Sequence, residues 1–241
     1  MGGGLPARPR AEGRLFPDEI VRRLPAASPG HPLATEWRQR ADSAARLLSH
    51  LRARRPAAVL DVGSGNGWLT AAIAAALPHA HVLGLEPNDV ERAQASRVFA
   101  DRPNLRFVAG DVTSAAPPTA RPDVVVLASV IQYVADLPAL VSRLLGWIGD
   151  DPRGEIHILD SPLYAEAEVP AARERTRRHY EAVGVPAMAD AYHHHGWRTL
   201  EAFAPEVLFR PDALRLRLER RLLGRARSPF PWIRVRPGGA R

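Results

Sequence analysis

Gly63, Gly65 and Gly67 crowd into five positions directly after the aliphatic run "AAVLDV", which carries Asp61. Glycine in a strand-to-helix turn lets the backbone take positive φ and lets a ligand approach without meeting a Cβ. The helix that follows has free N–H groups to offer a carboxylate or phosphate. Two kinds of cofactor would suit such a turn, a dinucleotide or a molecule ending in an amino acid. The dinucleotide pattern G-x-G-x-x-G, counted from Gly63 and Gly65, requires glycine at position 68, and the chain has Trp68 there. An ionised Asp61 would also repel a pyrophosphate, whereas it can orient an amino group.

Two further acids extend this reading. Glu86 ends the run "HVLGLE" 23 residues after Gly63, and its two carboxylate oxygens can accept from both hydroxyls of a ribose. Asp111, in "FVAGDV", can accept from the exocyclic amine of adenine, with Val112 and Phe107 as apolar neighbours. Amino acid, ribose and adenine together describe S-adenosylmethionine.

These residues need a scaffold that brings loop ends together. Trp37, Ala41, Ala44, Leu48 and Leu51 recur at helical spacing, with Arg38, Arg40, Arg46 and Arg52 expected to face outward. After Pro56 the chain alternates. "AAVLDV", "HVLGLE", "LRFVAG", "DVVVLAS" and "EIHILD" read as strands; "WLTAAIAAAL", "DVERAQASRVFA" and "LPALVSRLLGWI" read as helices. Strands apolar on both faces and separated by helices imply a doubly wound, mostly parallel sheet covered on both sides. From Ser161 the pattern predicts a charged helix near "PAARERTRRHYEAVG", a strand "EVLF", a helix near "PDALRLRLERRLLG" and a strand "FPWIRVR". The expected fold is α/β with seven strands, the C-terminal one antiparallel. Residues 1–32 read as a flexible lead-in and 33–241 as one domain, with a cofactor-binding core over 33–160 and a substrate-side, sheet-completing region over 161–241.

From about Trp37 to Asp160 the chain resembles the class I S-adenosylmethionine-dependent methyltransferases. "VLDVGSGNGWLT" is like their glycine-rich motif and "VLGLEPN" like their ribose-binding motif, while "FVAGDV" and "PDVVVLASVIQYV" are like the next two. The resemblance implies that Asp61, Gly63, Gly65 and Gly67 serve the methionine portion, Glu86 the ribose, and Asp111 with Val112 the adenine. It places Ser129 beside the sulfonium; core packing explains Val112 and Ser129 equally well. Methyl transfer is an in-line displacement that depends on alignment and desolvation, and no metal is expected.

"AYHHHGW" is the most unusual stretch outside the cofactor region. If extended, His193 and His195 share one face and His194 the other. One of them could serve as a general base, two with Asp160 could hold a divalent metal, or all three could be structural. Tyr192 and Trp197 suggest an aromatic wall for an organic acceptor, and Gln132 and Tyr133 could touch cofactor or acceptor. His157, in mid-strand, is expected to be buried and structural. The stretch "ASVIQYV" lacks the Asn/Asp-Pro-Pro-Tyr/Phe sequence of many family members that methylate amide or nucleobase nitrogen, which favours a small-molecule oxygen acceptor, in secondary metabolism.

Charge keeps one rival open. Residues 1–56 hold 11 arginines against 5 acids, residues 57–196 hold 11 against 17, and residues 197–241 hold 11 against 4; lysine and cysteine are absent. Basic flanks could attract RNA, although no aromatic-interleaved RNA-binding module accompanies them. A cofactor-binding protein without transfer activity is the other alternative. No membrane span or secretory signal is read from the sequence, so the cytoplasm is the expected location.

Overall fold

The computed structural model describes residues 16–27, 30–118, 120–211 and 227–239. Its centre is a seven-stranded sheet: β1 (Ala58–Val62), β2 (His81–Glu86), β3 (Leu105–Ala109), β4 (Val124–Ala128), β5 (Glu155–Leu159), β6 (Glu206–Phe209) and β7 (Trp232–Val235), in the order 3-2-1-4-5-7-6. β1 to β5 are parallel, and β7 runs antiparallel to both β5 and β6. Order reverses between β1 and β4, which opens a crevice at their carboxyl ends where ligands of such sheets bind.

Every strand read from sequence is present, as are the helices between them: α2 (Ala34–Arg54), α3 (Trp68–Ala76), α4 (Asp89–Val98), α5 (Leu137–Ile148) and α6 (Val169–Ala182). β4, "VVVLA", is buried along nearly its whole length because helices cover both faces. One apolar layer gathers Trp37, Leu47, Leu51, Trp68, Ile73 and Val98; the other gathers Leu85, Ile131, Leu140, Leu144 and Ile158. Two short helices, α7 (Ala187–Asp190) and α8 (Arg198–Glu201), follow α6. The helix expected near "PDALRLRLERRLLG" falls outside the described residues.

Within the stretch read as a lead-in, α1 (Asp18–Arg23) packs with Val21 fully buried and Asp18 bonded to Gln94 and Arg97 of α4. Periodicity gave no sign of so short a helix. In α2, Arg38 and Arg52 face solvent as expected, but Arg40 and Arg46 do not. Arg46 lies over the Phe209 ring at 3.7 Å, and Arg40 reaches Ser129. The long arginine stem can cover apolar surface in either direction, so pattern alone misplaces it.

Candidate active site

The glycine turn is tied to its neighbouring strand. Gly63 and Ser64 donate their N–H groups to the Leu85 carbonyl at 2.8 and 3.2 Å, and Gly65 N–H donates to Glu86 Oε2 at 2.7 Å. All three glycines have positive φ, at 66°, 54° and 80°. The space a Cβ would enter differs among them. At Gly63 it would stand 2.8 Å from Val130 Cγ2, and at Gly67 2.6 Å from Phe107 Cζ, so packing within the protein demands glycine there. At Gly65 it would meet only Glu91 Oε1 at 3.4 Å, and a ligand can approach on this side. Gly84 in β2, which sequence reasoning passed over, is needed for the same Phe107 ring, 2.5 Å from its would-be Cβ.

Two acids line the base of the turn. Asp61 is 2% exposed and accepts from Thr70 Oγ1 at 2.6 Å. Burial pushes its carboxyl up to about 7, against the Thr70 bond and with help from the charge of Glu86. Glu86, also buried, accepts from Gly65 N–H and, through Oε1, from Asn88 N–H at 2.8 Å. Each carboxylate oxygen has lone-pair capacity for a second donor. Asp111 is exposed after β3, and its Oδ1 takes the N–H and hydroxyl of Thr113 at 2.9 and 2.7 Å. Val112 is buried in the apolar layer with Leu85, whereas Phe107 packs on the opposite face of the sheet against Gly67 and Ala95. Val112 and Phe107, both read from sequence as apolar neighbours for an adenine beside Asp111, thus pack in different apolar layers.

At the ends of β4 and β5, Ser129 and Asp160 both hold positive φ, 62° and 52°, a strained conformation for non-glycine residues that concentrates at functional sites. Ser129 Oγ donates to the Asp160 carbonyl at 2.9 Å and accepts from Arg40 Nη2 at 3.2 Å. The Asp160 carboxyl accepts from Ser43 and Ser228, and burial raises its pKa against those bonds and the charges of Arg40 and Arg46. Gln132 is buried, donates Nε2–H to the Ser129 carbonyl, and has its Oε1 buried without a partner among the described residues. Trp37 Nε1 is likewise buried and unpartnered.

The histidines form a strap. His193 N–H donates to the Gln132 carbonyl at 2.7 Å, and His195 Nε2–H is shared between the carbonyls of Ile131 and Val134 at 2.9 and 3.0 Å. His195 Nε2 therefore carries its proton and cannot accept one. His194 points the other way, its Nε2 2.8 Å from the Thr176 hydroxyl and its ring against Tyr164 and Tyr192. Burial lowers the pKa of both His194 and His195. A cavity of about 940 Å³ lies beyond the strap, lined by Arg173, Tyr192, His193, His194, His195 and Thr199 among others, and by none of the glycine-turn residues. Tyr133 stacks edge-on with Tyr192 at 5.8 Å, while Trp197 packs into the apolar layer of α5.

Asp160 and the histidines do not converge. Among the described residues, the trio with metal-ligand potential is His50, Glu155 and His157, at the amino end of β5. His157 Nδ1 accepts from Trp232 Nε1–H at 3.1 Å, so His157 Nε2 carries a proton and donates it to Glu155. Arg234 and Arg236 also bond Glu155, at 2.9 and 3.1 Å. Protons and guanidinium groups already fill this site where a cation would have to sit.

A parallel sheet with a glycine turn at its switch point, a buried carboxyl below that turn and a carboxylate on the adjacent strand defines a nucleoside-cofactor enzyme of the doubly wound class. Residues 36–202 match the family model described as a methyltransferase domain, and the chain belongs to the class I S-adenosylmethionine-dependent methyltransferases. It is 35% identical over 108 residues to a trans-aconitate 2-methyltransferase of Methylobacterium radiotolerans, covering 45% of this chain and 40% of that one. It is 29% identical over 96 residues to a malonyl-[acyl-carrier protein] O-methyltransferase of Halalkalibacterium halodurans, covering 39% and 35%. The chain thus spans about two fifths of these curated relatives. The fold is shared with magnesium protoporphyrin IX methyltransferase of Synechocystis (TM-score 0.56, 11% identity, 90% of this chain and 91% of that one). It is shared also with a plantazolicin methyltransferase (TM-score 0.53, 14% identity, 94% and 98%).

The residues present fit the family's cofactor. Asp61 and Glu86 bring surplus negative charge together in a buried place, which an ammonium group would offset, and a carboxylate such as Glu86 is the acceptor type that suits ribose hydroxyls. No helix among the described residues is long and apolar enough to cross a membrane.

Proposed function

We propose that this protein transfers a methyl group from S-adenosylmethionine to an oxygen of a small organic molecule, in secondary metabolism and in the cytoplasm. Bound S-adenosylmethionine supplies an electrophilic methyl on positive sulfur. The chain's part is to hold and align. Gly63, Gly65 and Gly67 shape the turn for the methionine portion, with Asp61 facing its ammonium. Glu86 takes the ribose, and Asp111 with Val112 the adenine. Ser129 stands on the sulfonium side. The described residues from Ser161 onward, with α2, cover the acceptor.

The observation that carries this reading is the pairing of buried Asp61 with Glu86, which takes the N–H of Gly65 in the glycine turn on one oxygen and that of Asn88 on the other. Two relatives support an oxygen acceptor: trans-aconitate and the malonyl group, named as acted on by those proteins, each present carboxylate oxygen. The strap geometry weakens the case for His195 as a general base, since its Nε2 is a committed donor. Tyr192 and His193 stay at the cavity wall, where they can contact an acceptor.

The test is calorimetry with S-adenosylhomocysteine, followed by transfer of labelled methyl to a panel of small acids, alcohols and phenols. Micromolar cofactor binding and a methylated oxygen product are the expected results. Cofactor binding with no product across the panel would leave a binding protein. Salt-sensitive binding and methylation of RNA would establish the rival that the basic flanks suggest.

A further inference from the structure

We propose that Arg40 recognises a carboxylate of the methyl acceptor, and that the acceptor is a di- or tricarboxylic acid whose non-reacting carboxylate takes this guanidinium. The inference rests on the reading above as an oxygen methyltransferase and names its substrate class.

Arg40 is fixed in place rather than left in solvent. Its Nε bonds Glu36 Oε1 at 2.9 Å, its Nη2 bonds Ser129 Oγ at 3.2 Å, its Cζ lies 5.6 Å from the Trp37 ring centroid, and its side chain is 19% exposed. Those bonds leave Nη1 for a ligand. A guanidinium held in this way has already lost the rotamer freedom that binding would otherwise cost, and its fork matches a carboxylate. Its charge bears on Asp160 without a bond, the Asp160 carboxyl accepting instead from Ser43 and Ser228.

Strand order assigns this guanidinium to the acceptor. The residues proposed for the methionine portion, ribose and adenine run from β1 (the glycine turn) through β2 (Glu86) to the end of β3 (Asp111), on one side of the switch point; Ser129, at the end of β4, stands across it on the sulfonium side, where the methyl leaves toward the acceptor. Arg40 reaches the other side, where Ser129 ends β4 and Asp160 follows β5. There the two positive-φ residues lie with the buried Gln132 Oε1, unpartnered among the described residues.

The chemistry agrees with the shortage of a base. A carboxylate is ionised at neutral pH and needs no deprotonation. One of its oxygen lone pairs forms the new C–O bond while the C–S bond breaks, its electron pair returning to sulfur. The products are a methyl ester and S-adenosylhomocysteine, and no proton moves. The negative oxygen and positive sulfur are both neutralised, so a dry site favours the step. A guanidinium on the attacking carboxylate would blunt it, which is why a second carboxylate is required.

The experiment compares wild type with Arg40→Gln and Arg40→Lys. It uses trans-aconitate as the polycarboxylate and crotonate as a monocarboxylate, with binding to protein preloaded with S-adenosylhomocysteine measured by calorimetry alongside turnover. In wild type, trans-aconitate is expected to bind more tightly than crotonate. Arg40→Gln should raise its Kd and KM roughly tenfold or more, with a smaller change in kcat, and Arg40→Lys should fall between. S-adenosylhomocysteine affinity and thermal midpoint should stay near wild type in Arg40→Lys. A large loss of S-adenosylhomocysteine affinity with trans-aconitate binding intact would move the guanidinium to the cofactor and overturn the proposal. Equal affinity for both acids, absence of binding by either, or indifference to Arg40→Gln would also overturn it. If wild type methylates an alcohol or phenol but no polycarboxylate, only this inference falls; if it methylates no oxygen at all, the proposed function falls with it.

Discussion

The two ends of the parallel sheet bury carboxyl groups in opposite ways. At the amino end, Glu155 is surrounded by His50, His157, Arg234 and Arg236, each within hydrogen-bond distance. Burial alone would raise its pKa, but bonds from His157, His50 and Arg236 hold the carboxyl far below the ordinary range. At the carboxyl end, Asp61 and Asp160 are buried and hydrogen-bonded by hydroxyls rather than by cations, the charges of Arg40 and Arg46 bearing on Asp160 without a bond, and both titrate higher than ordinary carboxyls. A carboxylate that serves the fold is paired by the fold. A buried carboxyl without a bonded cation is costly to ionise, and Asp61 in that state suits the ammonium proposed to face it.

Breaking the amino-end cluster should have the largest effect. Glu155→Gln removes the common partner of two histidines and two arginines, and we expect a loss of roughly 3 kcal/mol, as for other broken buried ion pairs, read from urea unfolding. Gly84→Ala and Gly67→Ala come next. Each puts a Cβ into the Phe107 ring, for a cost of about 2 kcal/mol. Gly65→Ala should cost only about 1 kcal/mol, from its positive φ, yet weaken S-adenosylhomocysteine binding the most of the three. Similar cofactor affinities for all three would refute the distinction between packing glycines and the ligand-facing one.

His195→Ala should lower stability by about 1–2 kcal/mol, because two buried carbonyls lose their shared donor. His193→Ala, which keeps the backbone bond to Gln132, should leave stability near wild type.

The smallest effect is the pH dependence at Asp61. Its folded pKa lies above the unfolded value, so the native state holds the proton longer, and stability declines as pH climbs from the ordinary carboxylate range to about 7. Asp61→Asn, isosteric and still able to accept from Thr70, should therefore gain thermal midpoint relative to wild type between pH 5 and pH 8, on the order of a few degrees. It should bind S-adenosylhomocysteine more weakly. Glu155 has the opposite sign: its contribution is present above the ordinary carboxylate range and is lost only in strong acid.

Much of the fold was legible because strands apolar on both faces alternate with amphipathic helices, and β1 to β5 each follow from that contrast. The carboxyl-end residues of those strands were legible for the same reason, since the topology fixes where loop ends meet. What pattern could not supply was reach. Arg40 sits 89 positions from Ser129, and a period of 3.6 assigns its Cα to a face without saying where the guanidinium goes. The histidine triplet drew attention by composition, but its role as a strap depends on backbone carbonyls of Ile131 and Val134, which have no sequence signature. α1 is too short to show a period.

Phe107 belongs to the edge strand β3, yet its ring fills the space beside Gly67 in the turn after β1 and beside Gly84 in β2. Three segments distant in sequence are therefore bound to one aromatic ring. Drift at any of them is constrained by the other two: a smaller residue at 107 would free both glycines, while a larger one at 67 or 84 would require it. Among homologues, these three positions should change together or not at all.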